Sequence, residues 1–172
     1  AVADIVYLAA EGAPHVFRPP ASALDGTATL PDKKGFSFDG VSPRILIEQA
    51  EVLDGRIVFP SGAAYRLLVL PLVETMTPEL AAKIESLVHA GALVVGSPPR
   101  KSPSLVAYPR CDERVRATAD RIWGGPEPPT TPTGRPYGKG RIYWGGALSS
   151  AAQGELYPGF AATARVLLDK RV

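Results

Sequence analysis

The sequence predicts an α/β domain built on a mostly parallel sheet, and three observations carry that expectation. The block Tyr65–Tyr108 runs strand, loop, capped helix, strand, loop, which is the repeating unit of such a sheet. Its strand candidates, Tyr65–Leu70 (apart from Arg66) and Ala92–Val95, are apolar runs rather than alternating ones, as befits strands covered on both faces. Neither an internal repeat nor a second apolar core interrupts the 172 residues, so residues 1–172 are assigned to one domain, long enough to bury a sizeable core.

The elements follow in chain order. Asp4–Ala9 is a short apolar run with a β-branched centre, a first buried strand. Residues 11 to 41 carry Pro14, Pro19, Pro20 and Pro31 without periodicity and read as a long loop. Ser42-Pro43 starts a helix, since serine caps well and proline fits the first turn. Leu46, Ala50 and Leu53 continue that helix until Asp54-Gly55. Arg56–Phe59 and Tyr65–Leu70, separated by Pro60-Ser61-Gly62, are expected to pair as a hairpin, with the second run the more central. Thr77-Pro78 repeats the start signal, and Leu80, Ile84, Leu87 and Val88 form one apolar stripe ending at Gly91. Asp112 is the expected cap of the next helix, whose Val115, Ala119, Ile122 and Trp123 again share a face before Gly124-Gly125. Pro126–Pro136 reads as an extended linker, Arg141–Trp144 as a last strand and Phe160–Arg171 as a last helix. The strands at Leu67–Leu70 and Leu93–Val95, joined by a single helix, are expected to be parallel neighbours connected by a right-handed crossover.

Composition narrows the function classes. Lys+Arg 19 against Asp+Glu 17 gives a net charge of +2, with adjacent basic residues only in short pairs such as Arg100-Lys101, so no basic stripe points to nucleic acid. No apolar run reaches the roughly 20 residues that span a bilayer. The single cysteine, Cys111, excludes an internal disulfide. Nine of the 18 prolines fall between Pro98 and Pro136, which makes that region loop-rich. The chain opens on AVADIVYLAA without an initiator methionine, and the reading drawn from this is a piece cut from a longer polypeptide.

Chemistry on a parallel sheet belongs in the loops beyond the carboxyl ends of its strands, here VETMT and GSPPRKSPS. Ser97 stands where a nucleophile elbow would be, but Pro98 removes the next backbone N–H, a natural oxyanion donor. Gly35–Asp39 nearly spells a G-x-S-x-G motif, yet ends in aspartate with no strand before it. Of two histidines, His89 suits a helix C-terminus and His15 sits in the long loop without nearby metal-spaced partners, so no metal site is assigned. Gly134–Lys139 fails the phosphate-loop spacing and reads as a turn into a strand. Glu11, Asp39 and Glu74 are the acids placed in loops at or beside strand ends; a glycosidase pair would need two of them facing one cleft. The bland role for each is a helix-dipole partner. Phe17, Phe36 and Phe38 are aromatics that can stack on a sugar ring or pack on another domain, and packing is preferred. The resulting rim of ligand-facing candidates is His15, Phe38, Asp39, Glu74, Arg100 and Lys101, with no catalytic residue and no cofactor assigned. Residues 11 to 41 and the Arg100–Ser104 loop are expected at the carboxyl edge together.

Gly35–Gly124, running through DGRIVFPSGAAYRLLVLP, ETMTPE and RKSPSL, and then Gly138–Gly145 (GKGRIYWG), resemble a segment of the α-L-rhamnosidase-type glycoside hydrolases of family 106. The looser stretch ADIVYLAAEGAPHVFRPP extends the likeness, which covers well over half the chain. The resemblance implies a multidomain hydrolase in which this piece is an amidotransferase-like α/β domain following a catalytic barrel. It further implies a secreted or periplasmic setting, and as partners the barrel and other domains of the same polypeptide, with carbohydrate as a further class. The family's catalytic carboxylates lie on the barrel, so none carries over to a position of this sequence. The expected architecture is a single flavodoxin-like or class I amidotransferase-like three-layer domain with about four parallel strands and helices on both faces. The expected role is that of an accessory domain; the alternative is a small independent hydrolase or amidotransferase relative using Ser97 or Glu74.

Overall fold

A computed structural model describes residues 4–11 and 38–149. They form nine strands, three α-helices and a 3₁₀ turn: β1 (Ile5–Leu8), β2 (Phe38–Val41), α1 (Pro43–Gln49), β3 (Glu51–Leu53), β4 (Arg56–Val58), β5 (Ala64–Tyr65), β6 (Leu67–Val69), α2 (Pro78–Ala90), β7 (Leu93–Val95), α3 (Arg110–Trp123), β8 (Thr133–Tyr137), β9 (Gly140–Trp144) and the turn Gly146–Ser149. A six-stranded sheet has the order β2-β1-β6-β7-β9-β8, and β3-β4-β5 make a separate three-stranded antiparallel sheet. In the large sheet every neighbouring pair is parallel except β8 with β9.

Alternate residues of the parallel strands supply two apolar layers. Val6, Leu8, Leu68, Leu70, Val94, Ile142 and Trp144 point to one face, where Leu46 of α1, the stripe of α2 and Ala119, Ile122 and Trp123 of α3 cover them. Ile5, Tyr7, Leu67, Val69, Leu93 and Val95 point to the other face, joined by Leu148. All three described helices thus lie on the first face. The expected last helix, Phe160–Arg171, lies outside the described residues, so helices on both faces are not seen among them. The structure carries one parallel strand more than expected, β2, because Phe38–Val41 pairs with Ile5–Leu8 rather than continuing a loop.

The capping signals act as read. Ser42 Oγ accepts from Ile45 N (3.3 Å) and Thr77 Oγ1 from Leu80 N (3.3 Å). Gly91 and Gly124 end α2 and α3 with positive φ. As expected, β6 and β7 are parallel neighbours, with Leu68 opposite Val94 and Val69 opposite Val95.

Four local expectations are corrected. Helix α1 stops at Gln49, because Ala50 is already extended and Glu51–Leu53 pairs with Arg56–Val58. Asp54 (φ 52°) and Gly55 (φ 73°) are then a two-residue hairpin turn with both residues left-handed, the geometry that Asp-Gly favours, and not a helix stop. The second hairpin is split. Only Ala64–Tyr65 pairs with β4, while Leu67–Val69 joins the large sheet beside β1, where Asp4 O accepts from Arg66 N and Leu67 N. Helix α3 starts at Arg110 after Pro109, without a side-chain cap, and the Asp112 carboxylate instead accepts from Ser102 N (2.8 Å). The linker Pro126–Pro136 is in part strand β8; as an edge strand it tolerates Pro136, whose missing N–H deprives no inner neighbour.

Candidate functional site

The loops after β6 and β7 leave the carboxyl edge of the sheet side by side. Glu74 O accepts from Arg100 N (2.8 Å) and Lys101 N (3.3 Å), Met76 N donates to Lys101 O (3.0 Å), and Thr75 and Lys101 form a parallel bridge. Gly96 is required here by close approach, because a Cβ on it would come within 2.6 Å of Leu70 Cβ. Trp123 fixes the same loop from α3, its Nε1 donating to Gly96 O at 2.8 Å in a buried setting. On the far side the segment before β8 folds back over the edge, held where Gly146 N donates to Pro129 O (2.8 Å).

Between these segments lies an open cleft of about 410 Å³. Glu74, Ser97 and Arg100 give it its polar lining, and Leu72, Val73, Pro98, Pro126, Pro128 and Trp144 its apolar walls. That volume is within the usual range for small-molecule sites, roughly 300–1,000 Å³. Glu74 and Arg100 line one cleft yet form no ion pair; the three ion pairs among the described residues are Arg44–Glu48, Arg66–Asp4 and Arg121–Glu85. The Ser97 Oγ is buried without a hydrogen-bond partner.

The predicted rim is only partly assembled. Glu74 and Arg100 share the cleft, and Lys101 follows on the exposed side of the same loop. Phe38 and Asp39 lie elsewhere: Phe38 pairs with Ile5 and Asp39 with Val6, which sets them toward the amino end of their strand. Asp39 accepts instead from Tyr65 OH (2.8 Å), and burial, helped by that carboxylate, pushes the Tyr65 phenol up to about 12. The sequence reading placed both residues in a loop leaving β1, whereas the parallel pairing of β2 carries them back along the sheet. His15, Phe17 and Phe36 lie outside the described residues.

Glu11 takes the bland role. Its carboxylate accepts from Thr77 N (2.5 Å) and Thr77 Oγ1 (2.7 Å), tying the loop after β1 to the start of α2. His89 sits at the C-terminal end of α2, edge-on to Tyr137 (centroids 5.8 Å apart), by the hairpin turn of β8 and β9. That turn is at the amino edge, so His89 is not placed to serve Ser97. Near it, Arg121 holds the Glu85 carboxyl below its ordinary range through bonds of 2.7 and 3.2 Å, and Tyr137 OH adds a third contact at 3.1 Å. No group of three or more His, Cys, Asp or Glu residues positioned to hold a metal occurs among the described residues.

Sequence reasoning missed the walls of the cleft. Leu72, Val73 and Trp144 follow or end strands and were legible as candidates by position alone. Pro126 and Pro128 fall in the segment that reads as an extended linker, and no local signal says that such a segment folds back over a sheet edge.

Comparisons with known proteins agree with the resemblance. The glycoside hydrolase family 106 model, described as alpha-L-rhamnosidase, matches residues 1–167. A protein of Formosa agariphila named "Putative beta-glucuronidase" is 36% identical over 125 residues, covering 72% of this chain and 10% of its own length. The solved structure of a rhamnosidase from Novosphingobium sp. PP1Y shares the fold, with a TM-score of 0.65 at 22% identity over 98% of this chain. The present chain spans 14% of that protein and a tenth of the Formosa protein.

Proposed function

The chain belongs to the alpha-L-rhamnosidase family, glycoside hydrolase family 106, and we propose that it serves there as a non-catalytic accessory domain of a larger glycan-cleaving protein. In this reading its mostly parallel sheet is a flavodoxin-like or class I amidotransferase-like scaffold whose carboxyl edge, among the described residues, lacks a complete catalytic set. The observation that carries the reading is the makeup of the cleft. It holds one carboxylate, Glu74, and one candidate nucleophile, Ser97, whose Oγ has no base bonded to it and whose next residue, Pro98, has no N–H to offer an oxyanion. A lone general base contributes about a hundred- to ten-thousandfold, whereas enzymes typically supply at least a millionfold. Glycosidic cleavage by a carboxylate pair needs a second acid in the same cleft, and Glu11 is engaged at the start of α2.

Four of the six exposed large apolar side chains among the described residues lie in the loops after β6 and β7. Leu105, Val106 and Tyr108 are 82%, 78% and 63% exposed, and Val73 is 41% exposed. A domain that packs against other parts of a longer polypeptide carries such residues at the contact. The small share of its relatives that this chain spans supports, as partner in this reading, the remaining domains of one polypeptide.

An assay of the purified chain with an aryl rhamnoside, glutamine and an aryl ester tests the reading. Rates should equal background with all three. Saturable turnover abolished by Ser97→Ala or Glu74→Gln overturns it in favour of an independent hydrolase.

A further inference from the structure

Between β7 and α3, every residue from Pro103 to Pro109 is exposed. Leu105 and Val106 are the two most exposed large apolar side chains among the described residues, and Tyr108 stands beside them. The polar groups of the loop hold it in this outward form. Ser102 N donates to the Asp112 carboxylate (2.8 Å), Ser104 N to Ser102 Oγ (3.3 Å), Val106 N to Ser104 Oγ (3.2 Å) and Tyr108 N to Leu105 O (3.0 Å). Ala107 takes a left-handed conformation (φ 60°), which is unfavourable for a residue with a Cβ and persists only where the surroundings fix it. A loop preset in this way loses little ordering entropy on contact, and its three apolar side chains gain by leaving water. Charge adds a second feature. The charged residues from Arg100 to Arg110 are Arg100, Lys101 and Arg110, all cations. Asp112 is engaged with Ser102 N, and Glu74 and Glu113 offset the cations only in part. Arg110 is the first residue of α3, where the helix dipole disfavours positive charge, so helix stability does not account for it.

We propose that the Pro103–Pro109 loop is a docking knob, seated in an apolar recess rimmed with carboxylates on another domain of the same polypeptide. The inference deepens the accessory-domain reading and rests on it. Size selects a tethered partner over a second copy of this chain. A stable association of separate proteins buries about 1,200–2,000 Å² through roughly 20–30 residues a side. The knob offers one short loop, with Val73 on the adjoining one. Tethering raises the effective concentration of a partner to about millimolar, at which a small contact is occupied. The relatives have the length in which such a partner lies, since this chain spans 14% of one and 10% of the other.

Hydrogen exchange of the loop amides, followed by mass spectrometry, tests the proposal by comparing the purified chain with the full-length polypeptide that contains it. Exchange should be about tenfold slower or more in the full-length protein. The double variant Leu105→Ser, Val106→Ser should return it to the rate of the chain alone. Both positions are exposed, so the unfolding midpoint of the purified chain should not move, which separates lost docking from lost fold. The charge-reversed pair Lys101→Glu, Arg110→Glu should lose part of the protection, and more of it at low salt. Equal exchange in the two proteins, or protection that survives the apolar double variant, overturns the proposal. Full protection in the charge-reversed pair overturns the carboxylate rim. Dimerisation of the purified chain that the apolar double variant abolishes also overturns the proposal, by making a second copy the occupant. Turnover by the purified chain in the assay above removes the accessory-domain reading and leaves a protected loop standing as an interdomain contact. An unprotected loop without such turnover removes the docking alone.

Discussion

Replacing Glu11 by alanine should destabilise the domain without touching the cleft. The carboxylate accepts from Thr77 N at 2.5 Å and from Thr77 Oγ1 at 2.7 Å, immediately before the first turn of α2. A hydrogen bond to a charged group contributes about 1.5–3 kcal/mol, and an anion at a helix N-terminus about 0.3–1 kcal/mol. The site is only partly buried, so solvent screening trims these values, and about 2 kcal/mol is the expected loss for Glu11→Ala. In a domain of this length that corresponds to a fall in Tm of about 4–8 °C. Glu11→Gln keeps one acceptor oxygen and should lose about half as much. Thr77→Ala removes the cap on Leu80 N together with one of the two bonds to Glu11. Paired with Glu11→Ala it should therefore be less than additive, by about 0.5–1 kcal/mol. Urea unfolding followed by circular dichroism measures all four proteins. A change below about 0.5 kcal/mol for Glu11→Ala, within the range of ordinary surface substitutions, would refute the reasoning. Glu11 would then be free for a role in the site.

The Glu85–Arg121 pair gives a pH signature. Glu85 has its folded pKa lowered, chiefly by the Arg121 bond, so its contribution is present above its unfolded value and is lost as pH falls through the folded one. The urea midpoint should accordingly drop more steeply below about pH 4.5 in the parent chain than in Glu85→Gln, and equal slopes would contradict the assignment. Gly96→Ala should lower stability by about 1–3 kcal/mol, the usual effect of overpacking, because its Cβ would stand 2.6 Å from Leu70 Cβ. Combining it with Leu70→Ala should cost less than the sum of the two single changes, and strict additivity would argue against the clash.

What the sequence made legible was local chemistry with a strong signature. Ser42-Pro43 and Thr77-Pro78 start helices because serine and threonine hydroxyls satisfy orphan N–H groups and proline has none to satisfy. The stripe of Leu80, Ile84, Leu87 and Val88 is buried on one face of α2, and the parallel neighbours β6 and β7 follow from the single helix between them. The misreadings concern pairing over distance. Asp54-Gly55 means a stop in a helix and a turn in a hairpin, and only the presence of β4 opposite β3 decides between them. Phe38–Val41 has no strand pattern of its own, since Asp39 and Gly40 dilute it; its partner β1, more than thirty residues earlier, makes it a strand. That single missed pairing moved Phe38 and Asp39 off the predicted rim. Glu74 and Arg100, two of the nine residues that line the cleft, come together for the opposite reason: they lie in the loops after strands whose direction the helix between them had fixed.

The same geometry bears on how the cleft would work. Its two main loops are bonded to each other through Arg100 N, Lys101 O and the Thr75–Lys101 bridge, and one is anchored to α3 through Trp123 and through the bond from Ser102 N to Asp112. A concavity held by backbone bonds exists before a ligand arrives, so little ordering entropy is spent when one enters. Preorganisation of this kind serves binding and turnover equally, and what separates the two is the set of groups aimed into the space. Here those groups are a carboxylate that can accept and a guanidinium that can donate, while the Ser97 Oγ is itself buried. Catalysis would require a second acid or an activated nucleophile beside them. Another acid that the sequence offered, Glu11, is committed to the start of α2, where it fastens the segment after β1 to the helix that follows β6. In this fold the Glu11 and Asp112 carboxylates fasten the carboxyl edge, while that of Glu74 lines the cleft unpaired.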